Sequence, residues 1–168
     1  ASQDLMLPPA ELMPYQISYI PLFVAVEGTL EGELSSMALI SGTSPLPSAM
    51  ALGATWNRAL SEAAGQVKGR ELAALGINFL LGPDMDVLYA PASGDPADLG
   101  TCIFGSDPYW VSEMGRAYVR GLHQGSDSTL AVFPRHFPGV GSVDRPLQTE
   151  VPTVQKSLEQ LQSMEFAC

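Results

Sequence analysis

Three short apolar runs alternate along the chain with segments of helical periodicity. The runs cover residues 19–26, 77–81 and 130–133, and each is the near-continuous apolar stretch that is typical of a strand buried on both faces. Apolar side chains recur every three to four residues over residues 61–75 and again in a segment that follows Asp107. Strand and helix therefore alternate, which predicts βαβ units on a parallel sheet and an α/β fold.

Several predicted elements carry recognisable end signals. Gly76 follows the first periodic segment at the position where a left-handed residue ends many helices. Asp107 and Pro108 form an N-cap and a first-turn proline for the next helix. A last helix is predicted over about residues 153–166, whereas residues 28–47 are rich in turn formers and predict a connection.

The length of 168 residues suits one domain, and 46% hydrophobic residues are enough to build a core. Residues 1–18 contain three prolines and little periodicity, so we expect a surface arm there and one domain over residues 19–168.

No apolar run approaches the roughly 18 residues that a membrane span needs, and the first residues do not resemble a signal peptide. The two cysteines, Cys102 and Cys168, lie outside any C-x-x-C motif, so we expect thiols rather than a disulfide framework or a zinc site.

The charge balance narrows the class of partner. Eight Lys and Arg against 18 Asp and Glu give a net charge of −10, which argues against nucleic acid and anionic membranes. A neutral ligand or a protein partner fits this acidic chain better.

The sequence has no phosphate loop, no G-x-G-x-x-G, no G-x-S-x-G and no H-E-x-x-H, so we expect neither a cofactor nor a metal.

Polar side chains follow each predicted strand. Glu27 follows the first, Asp84 and Asp86 follow the second, and Arg135 and His136 follow the third. Ligands of barrels and of open parallel sheets bind at the carboxyl ends of the strands, so we expect these residues to share one edge. Two roles for Arg135 remain open at this point, namely contact with a ligand and a structural ion pair with Asp84 or Asp86.

The segment R-H-F-P-G-V-G over residues 135–141 resembles K-H-F-P-G-H-G, a motif of the amino-terminal catalytic domain of glycoside hydrolase family 3. That family contains β-glucosidases and β-N-acetylhexosaminidases. Residues 45–55, 69–78, 82–87 and 104–108 are similar to further stretches of the family, in the same order. The resemblance covers nearly the whole chain.

The resemblance implies a TIM-type (β/α) barrel fold, of which this chain would supply about three to four of eight strand–helix units and leave a sheet edge open. It implies a carbohydrate ligand. Asp86 falls at the family's substrate-binding aspartate, and Arg135 and His136 fall on the K-H pair that holds the sugar. Glu27 follows the strand where the family has D-x-E-G-G, and we include it among the substrate-binding residues.

The chain also departs from the family pattern. Val140 stands at the second histidine, Arg135 at the lysine and Cys102 at an arginine, and residues 142–146 lack the D-x-H dyad of some hexosaminidases. The family's nucleophilic aspartate is expected on a later strand, beyond Cys168. A retaining glycosidase needs two carboxyl groups about 5–5.5 Å apart, and the sequence identifies no such pair, so we assign no catalytic residue.

Three functions compete on this basis. In the first, the domain is catalytically inactive alone and acts as a sugar-binding, interaction or structural subunit. In the alternative, it is part of an active retaining β-glycosidase that hydrolyses terminal β-linked glucose or N-acetylglucosamine, with the nucleophile in a missing segment. The third is an open flavodoxin-like sheet that binds a small ligand. An open sheet edge presents unpaired backbone N–H and C=O groups that pair readily with another strand. We therefore expect this edge to be covered by more of the same polypeptide, by a second copy or by a protein partner.

Overall fold

The computed structural model describes 22–28, 40, 42–88, 101–141, 143, 153–154 and 156–167. The elements in chain order are β1 (Ala25–Glu27), α1 (Ala49–Ala54), α2 (Arg58–Ala74), β2 (Phe79–Asp84), α3 (Pro108–Gly125), β3 (Ala131–Arg135), α4 (Leu158–Ser163) and a 3-10 turn (Glu165–Ala167). The arm predicted over residues 1–18 lies outside the described residues and stays a prediction. No helix in the described ranges is both long enough and apolar enough to cross a bilayer.

The three strands form one parallel sheet in the order β1-β2-β3. Leu80 on the central strand lies opposite Val26 on one side and opposite Val132 on the other. Helices α2 and α3 connect and cover these strands, as the βαβ prediction required. The predicted α/β fold with a parallel, open sheet is therefore confirmed.

The core lies between the sheet and these two helices. Leu80, with 1% of its surface exposed, packs there with buried side chains from both helices. The large helix side chains buried in this core are Leu72, Val111, Met114, Tyr118 and Leu122. Every second strand residue faces this layer. The residues between them, such as Phe79 and Phe133, face the other side of the sheet and are apolar too, so the strands read as continuous apolar runs.

Glycines allow α2 and α3 to pack closely. A Cβ atom on Gly65 or Gly69 would lie 2.2–2.3 Å from a backbone oxygen of α3, and one on Gly121 or Gly125 would lie 2.1 Å from a backbone oxygen of α2. No side chain can occupy that space. Ser61 extends the contact by donating from Oγ to the carbonyl oxygen of Met114 at 2.8 Å.

The other face of the sheet is uncovered within the described structure. Phe23, just before β1, forms an aromatic row across the sheet with Phe79 on β2 and Phe133 on β3, with ring centroids 5.5 and 6.3 Å apart. Phe23 and Phe133 are 72% and 62% exposed. In a (β/α) barrel this face is the packed interior, and parallel sheets are normally covered on both faces.

The first strand is shorter than predicted. Strand geometry covers only its last residues, Ala25–Glu27, and residues 19–21 lie outside the described part. Just before it, a side chain adds to the backbone hydrogen bonds that the Val24 carbonyl accepts: the Oδ1 of Asn78 accepts from the Val24 N–H at 2.7 Å and its Nδ2 donates to the Leu22 carbonyl at 2.9 Å.

One helix is not predicted by the sequence, and another differs from its prediction. Helix α1 follows the segment predicted as a connection, and Ser48 caps it by accepting from the Ala51 N–H. The last helix is six residues long rather than spanning 153–166, because Ser157 and Gln160 form a capping box that starts it late. Upstream, Val154 instead forms an isolated antiparallel bridge.

Candidate functional site

One arginine joins the carboxyl ends of all three strands. The Nε of Arg135 on β3 lies 2.5 Å from Oδ1 of Asp84 on β2, and its NH1 pairs with Oε1 of Glu27 on β1. The Asp84 side chain is 1% exposed, whereas that of Glu27 is 66% exposed. Of the two roles open for Arg135, the structural ion pair is present, with Asp84 as its buried partner.

An irregularity in β2 produces this contact. Leu81 lies opposite Phe133, but Asp84 lies opposite Arg135, so β2 uses one residue more than β3 over this interval. Gly82 has a φ of +144°, and a Cβ there would lie 2.6 Å from the carbonyl oxygen of Gly28. Only glycine fits this bend, and the bend turns Asp84 towards the arginine.

The charges in this cluster respond to burial. Burial raises the pKa of Asp84, against the lowering effect of its hydrogen bond to Arg135. Burial lowers the pKa of Arg135, but its hydrogen bonds to Asp84 and Glu27 raise that pKa by more. The net effect is a raised pKa, so the guanidinium stays charged. The second oxygen of Asp84, Oδ2, is buried and has no hydrogen-bond partner among the described residues.

The second feature of the site is a pair formed by Asp86 and His136. The Nδ1 of His136 lies 2.7 Å from Oδ2 of Asp86, and the Val140 N–H donates to Oδ1 of the same carboxylate at 2.6 Å. The Asp86 side chain is fully buried, and 26% of the His136 side chain is exposed. The hydrogen bond to Asp86 raises the pKa of His136. This arrangement fixes the imidazole with its Nε2 directed away from Asp86, where it can form a hydrogen bond with a ligand.

A glycine lets the loop after His136 pack over Asp86. Gly139 has a φ of +135°, and a Cβ there would lie 2.7 Å from Cγ of Glu165 and 3.5 Å from Oδ1 of Asp86. Glu165 in turn pairs with Lys156, and both side chains are less than a tenth exposed. The sequence patterns gave no indication of this buried pair, since two charges nine residues apart carry no periodic signal.

The segment containing Cys102 lies beside the same edge. Its neighbour Ile103 forms a parallel bridge with Asp84, which places half-buried Cys102 next to the end of β2. The position at which the resembling family has an arginine is thus close to the cluster, and here it holds a thiol.

A cavity of about 900 Å³ opens beside β3. Arg135, His136 and Phe137 line one side of it, and α3 and Glu165 line the others. Glu27, Asp84 and Asp86 do not line it. The cavity therefore extends towards the helix layer, and we place the polar site at the strand ends, where the carboxylates are.

The structure brings together the five polar residues expected at this edge, which are Glu27, Asp84, Asp86, Arg135 and His136. Asp84, which is not among the four predicted to bind substrate, is the buried partner of Arg135. Imidazole and guanidinium groups donate hydrogen bonds, and carboxylates accept them, which suits a ligand rich in hydroxyl groups. Each of the three carboxylates at the described strand ends is already paired with Arg135 or His136. Across the part of the chain that the structure describes, this site included, no three His, Cys, Asp or Glu side chains gather in a way that could hold a metal ion.

Comparison with known proteins agrees with this chemistry. A family model described as the Glycosyl hydrolase family 3 N terminal domain matches residues 4–168. A β-hexosaminidase of Thiobacillus denitrificans is 32% identical over 123 residues, which cover 70% of this chain and 32% of that protein. The β-hexosaminidase LpqI of Mycobacterium bovis is 36% identical over 73% of this chain and 29% of its own length.

Solved structures give the same result. A family 3 β-N-acetylglucosaminidase from Paenibacillus superimposes with a TM-score of 0.77 at 32% identity, over 88% of this chain and 26% of that one. NagZ from Neisseria gonorrhoeae, solved with N-trifluoroacetyl-D-glucosamine, gives a TM-score of 0.69 at 31% identity, over 87% of this chain and 41% of that one. This chain spans about a third of the length of the curated relatives that it matches. Because the model of the family's N-terminal domain matches almost the whole chain, the chain belongs to glycosyl hydrolase family 3.

Proposed function

We propose that the strand-end site binds a terminal β-linked glucose or N-acetylglucosamine unit, and that the described residues do so without hydrolysing it. The Asp86–His136 pair carries this proposal. A buried carboxylate that fixes a partly exposed imidazole leaves its Nε2 for a ligand hydroxyl group at the position where the resembling family holds its sugar. This nitrogen accepts a hydrogen bond when the ring is neutral and donates one when the ring is protonated.

The other groups support binding rather than bond cleavage. Arg135 is held by carboxylates on both sides, so it can donate to a hydroxyl group while keeping its position. Asp86 acts as a positioning residue for His136, because both of its oxygens already accept hydrogen bonds from this chain. The side chain of Val140 cannot hydrogen-bond, and Cys102 supplies no cation.

Binding can be tested on the full 168-residue chain with N-acetylglucosamine and methyl β-glucoside, followed by NMR chemical-shift perturbation. We expect His136→Ala to weaken binding by about tenfold or more, as for the loss of one charge-assisted hydrogen bond. His123→Ala is the matched control, because it removes the other histidine, late in α3. Equal affinities in the two variants would remove His136 from the site.

The alternative is a working retaining β-glycosidase whose nucleophile and acid are outside the described residues. The names and lengths of the β-hexosaminidase relatives favour it, since this chain covers only about a third of them. The test is release of nitrophenol from p-nitrophenyl β-N-acetylglucosaminide and β-glucoside. Turnover that Asp86→Ala abolishes and His123→Ala leaves intact would establish hydrolysis and end the non-catalytic proposal.

We also propose that the uncovered sheet face is buried, either by further strands of the same polypeptide, by a second copy or by a protein partner. The exposed aromatic row of Phe23, Phe79 and Phe133 supports this, because such a face is unfavourable in water. The native mass of the full chain tests the second-copy version. A monomer at all concentrations would exclude it.

A further inference from the structure

Three aromatic rings form a cluster away from the strand-end site. Trp56, Tyr109 and Trp110 are together called the aromatic platform. Trp56 lies in the turn just before α2, and the other two lie in the first turn of α3. The rings of Trp56 and Trp110 have centroids 4.9 Å apart at 80°, and those of Tyr109 and Trp110 are 5.4 Å apart at 78°. These edge-to-face contacts hold the rings in fixed orientations relative to one another.

The platform is exposed to an extent that packing does not explain. Trp56 is 58% exposed and Tyr109 is 62% exposed, whereas Phe104 and Tyr118 pack in the core at 4% and 2%. Trp56 also has a φ of +53°, a backbone conformation that bulky residues seldom adopt. The chain thus accepts an unfavourable backbone conformation at a residue whose ring remains largely in water.

The platform lies at the same end of the molecule as the strand-end site. Helix α3 follows the carboxyl end of β2, so its first turn is at that end. Helix α2 ends near the amino end of β2, so it begins at the opposite edge, beside the carboxyl ends of the strands. The platform is consequently in the helix layer, outside the sheet but on the side where the proposed sugar site opens.

Polar groups accompany the rings. Arg58, two residues after Trp56, pairs its NH1 with Oε2 of Glu113 at 2.5 Å, and Glu113 lies three residues after Trp110 on α3. The Arg58 side chain is 62% exposed. An aromatic surface next to planar donors and acceptors can bind both the C–H and the hydroxyl groups of a sugar.

We propose that the aromatic platform is a second carbohydrate-binding surface, which binds the flat C–H face of a β-linked, gluco-configured oligosaccharide. Sugars of this configuration carry equatorial substituents, so their axial hydrogens form an apolar face that matches an aromatic ring. The ligand is uncharged, as the net charge of −10 favours. The inference shares its ligand class with the proposed function but does not require the strand-end site to bind.

The two tryptophans of the sequence are both in the platform, so tryptophan fluorescence reports on it directly. We expect cellotetraose and chitotetraose to change the emission of the full chain saturably, and α-linked maltotetraose to do so much more weakly. Tyr109→Ala keeps both tryptophans and should weaken the titration about fivefold to tenfold, as for loss of one stacked ring. Leu75→Ala, which removes an exposed apolar side chain at the far end of α2, should leave the titration unchanged.

A second comparison separates the platform from the strand-end site. In His136→Ala we expect the fluorescence titration to be unchanged, even though binding of N-acetylglucosamine at the strand ends is weakened. Loss of the fluorescence change in that variant would show that the signal comes from the other site and would overturn the proposal. An emission shift that appears with protein concentration in the absence of sugar would also overturn it, because a second copy would then cover the platform.

Discussion

The close approach of α2 and α3 leads to a quantitative prediction for Gly121→Ala. A Cβ atom at this position would lie 2.1 Å from the carbonyl oxygen of Glu62 and 2.9 Å from the backbone nitrogen of Gln66. Ordinary contacts begin at 3.4 Å, so the two helices would have to separate by about 1 Å, and backbone atoms cannot rotate out of the way.

Two opposing effects set the magnitude. Alanine stabilises a helix interior by about 0.8–1 kcal/mol relative to glycine. Overpacking of a tight interface costs about 1–3 kcal/mol, and here the obstacle is rigid, so the upper part of that range applies. We therefore expect Gly121→Ala to lower the free energy of unfolding by about 1–2 kcal/mol, measured by urea unfolding followed by far-UV circular dichroism.

Gly115→Ala is the matched control, on the same helix and also buried. Its Cβ would meet only Cε and Sδ of Met85 at 2.3 Å, the far end of a flexible side chain that can rotate away. We expect a change near zero, because the helix-propensity gain offsets a small rearrangement. If Gly121→Ala were as stable as Gly115→Ala, the inferred contact between the helices would be wrong.

Three further outcomes follow from titration and hydrogen bonding. The raised pKa of His136 stabilises the folded state fully below about pH 6.5, and this stabilisation is lost as the pH rises through the pKa of His136 in the folded protein. The difference in free energy of unfolding between the unchanged chain and His136→Gln, measured by urea unfolding, should therefore shrink at alkaline pH. Burial lowers the pKa of Lys68 to about 8, against the opposing charge of Glu71, from an ordinary value of 10.5. Stability should therefore rise as the pH increases from about 8 to 10.5, and Lys68→Met should remove that rise and add about 1–3 kcal/mol at pH 7. Asn78→Ala removes two hydrogen bonds that hold the segment before β1 and should cost about 1–2 kcal/mol, with faster hydrogen exchange of the Val24 amide as its local signature.

The elements with strong local signals could be predicted from sequence. Asp107 and Pro108 begin α3 as their side-chain chemistry requires, with the Asp107 carboxylate accepting from the Trp110 N–H. Gly76 has a φ of +76° just after α2. Helix α1 gave no such signal, because six residues are too few for an apolar period to appear.

The site could be predicted in its members but not in its pairings. Strand ends that share one edge bring Glu27, Asp86, Arg135 and His136 together, as expected from parallel topology. The choice of Asp84 as the partner of Arg135 depends on the extra residue in β2, and that irregularity has no periodic signature. Whether these residues bind a sugar stays a prediction.

The ion pairs of Arg135 make ligand binding and folding interdependent. This single side chain is in contact with the ends of the other two strands, so the proposed site exists only when all three strands are aligned. A sugar that binds there selects the aligned state and should raise the melting temperature of the domain in proportion to its occupancy. Thermal shift could then rank candidate sugars without any assay of turnover.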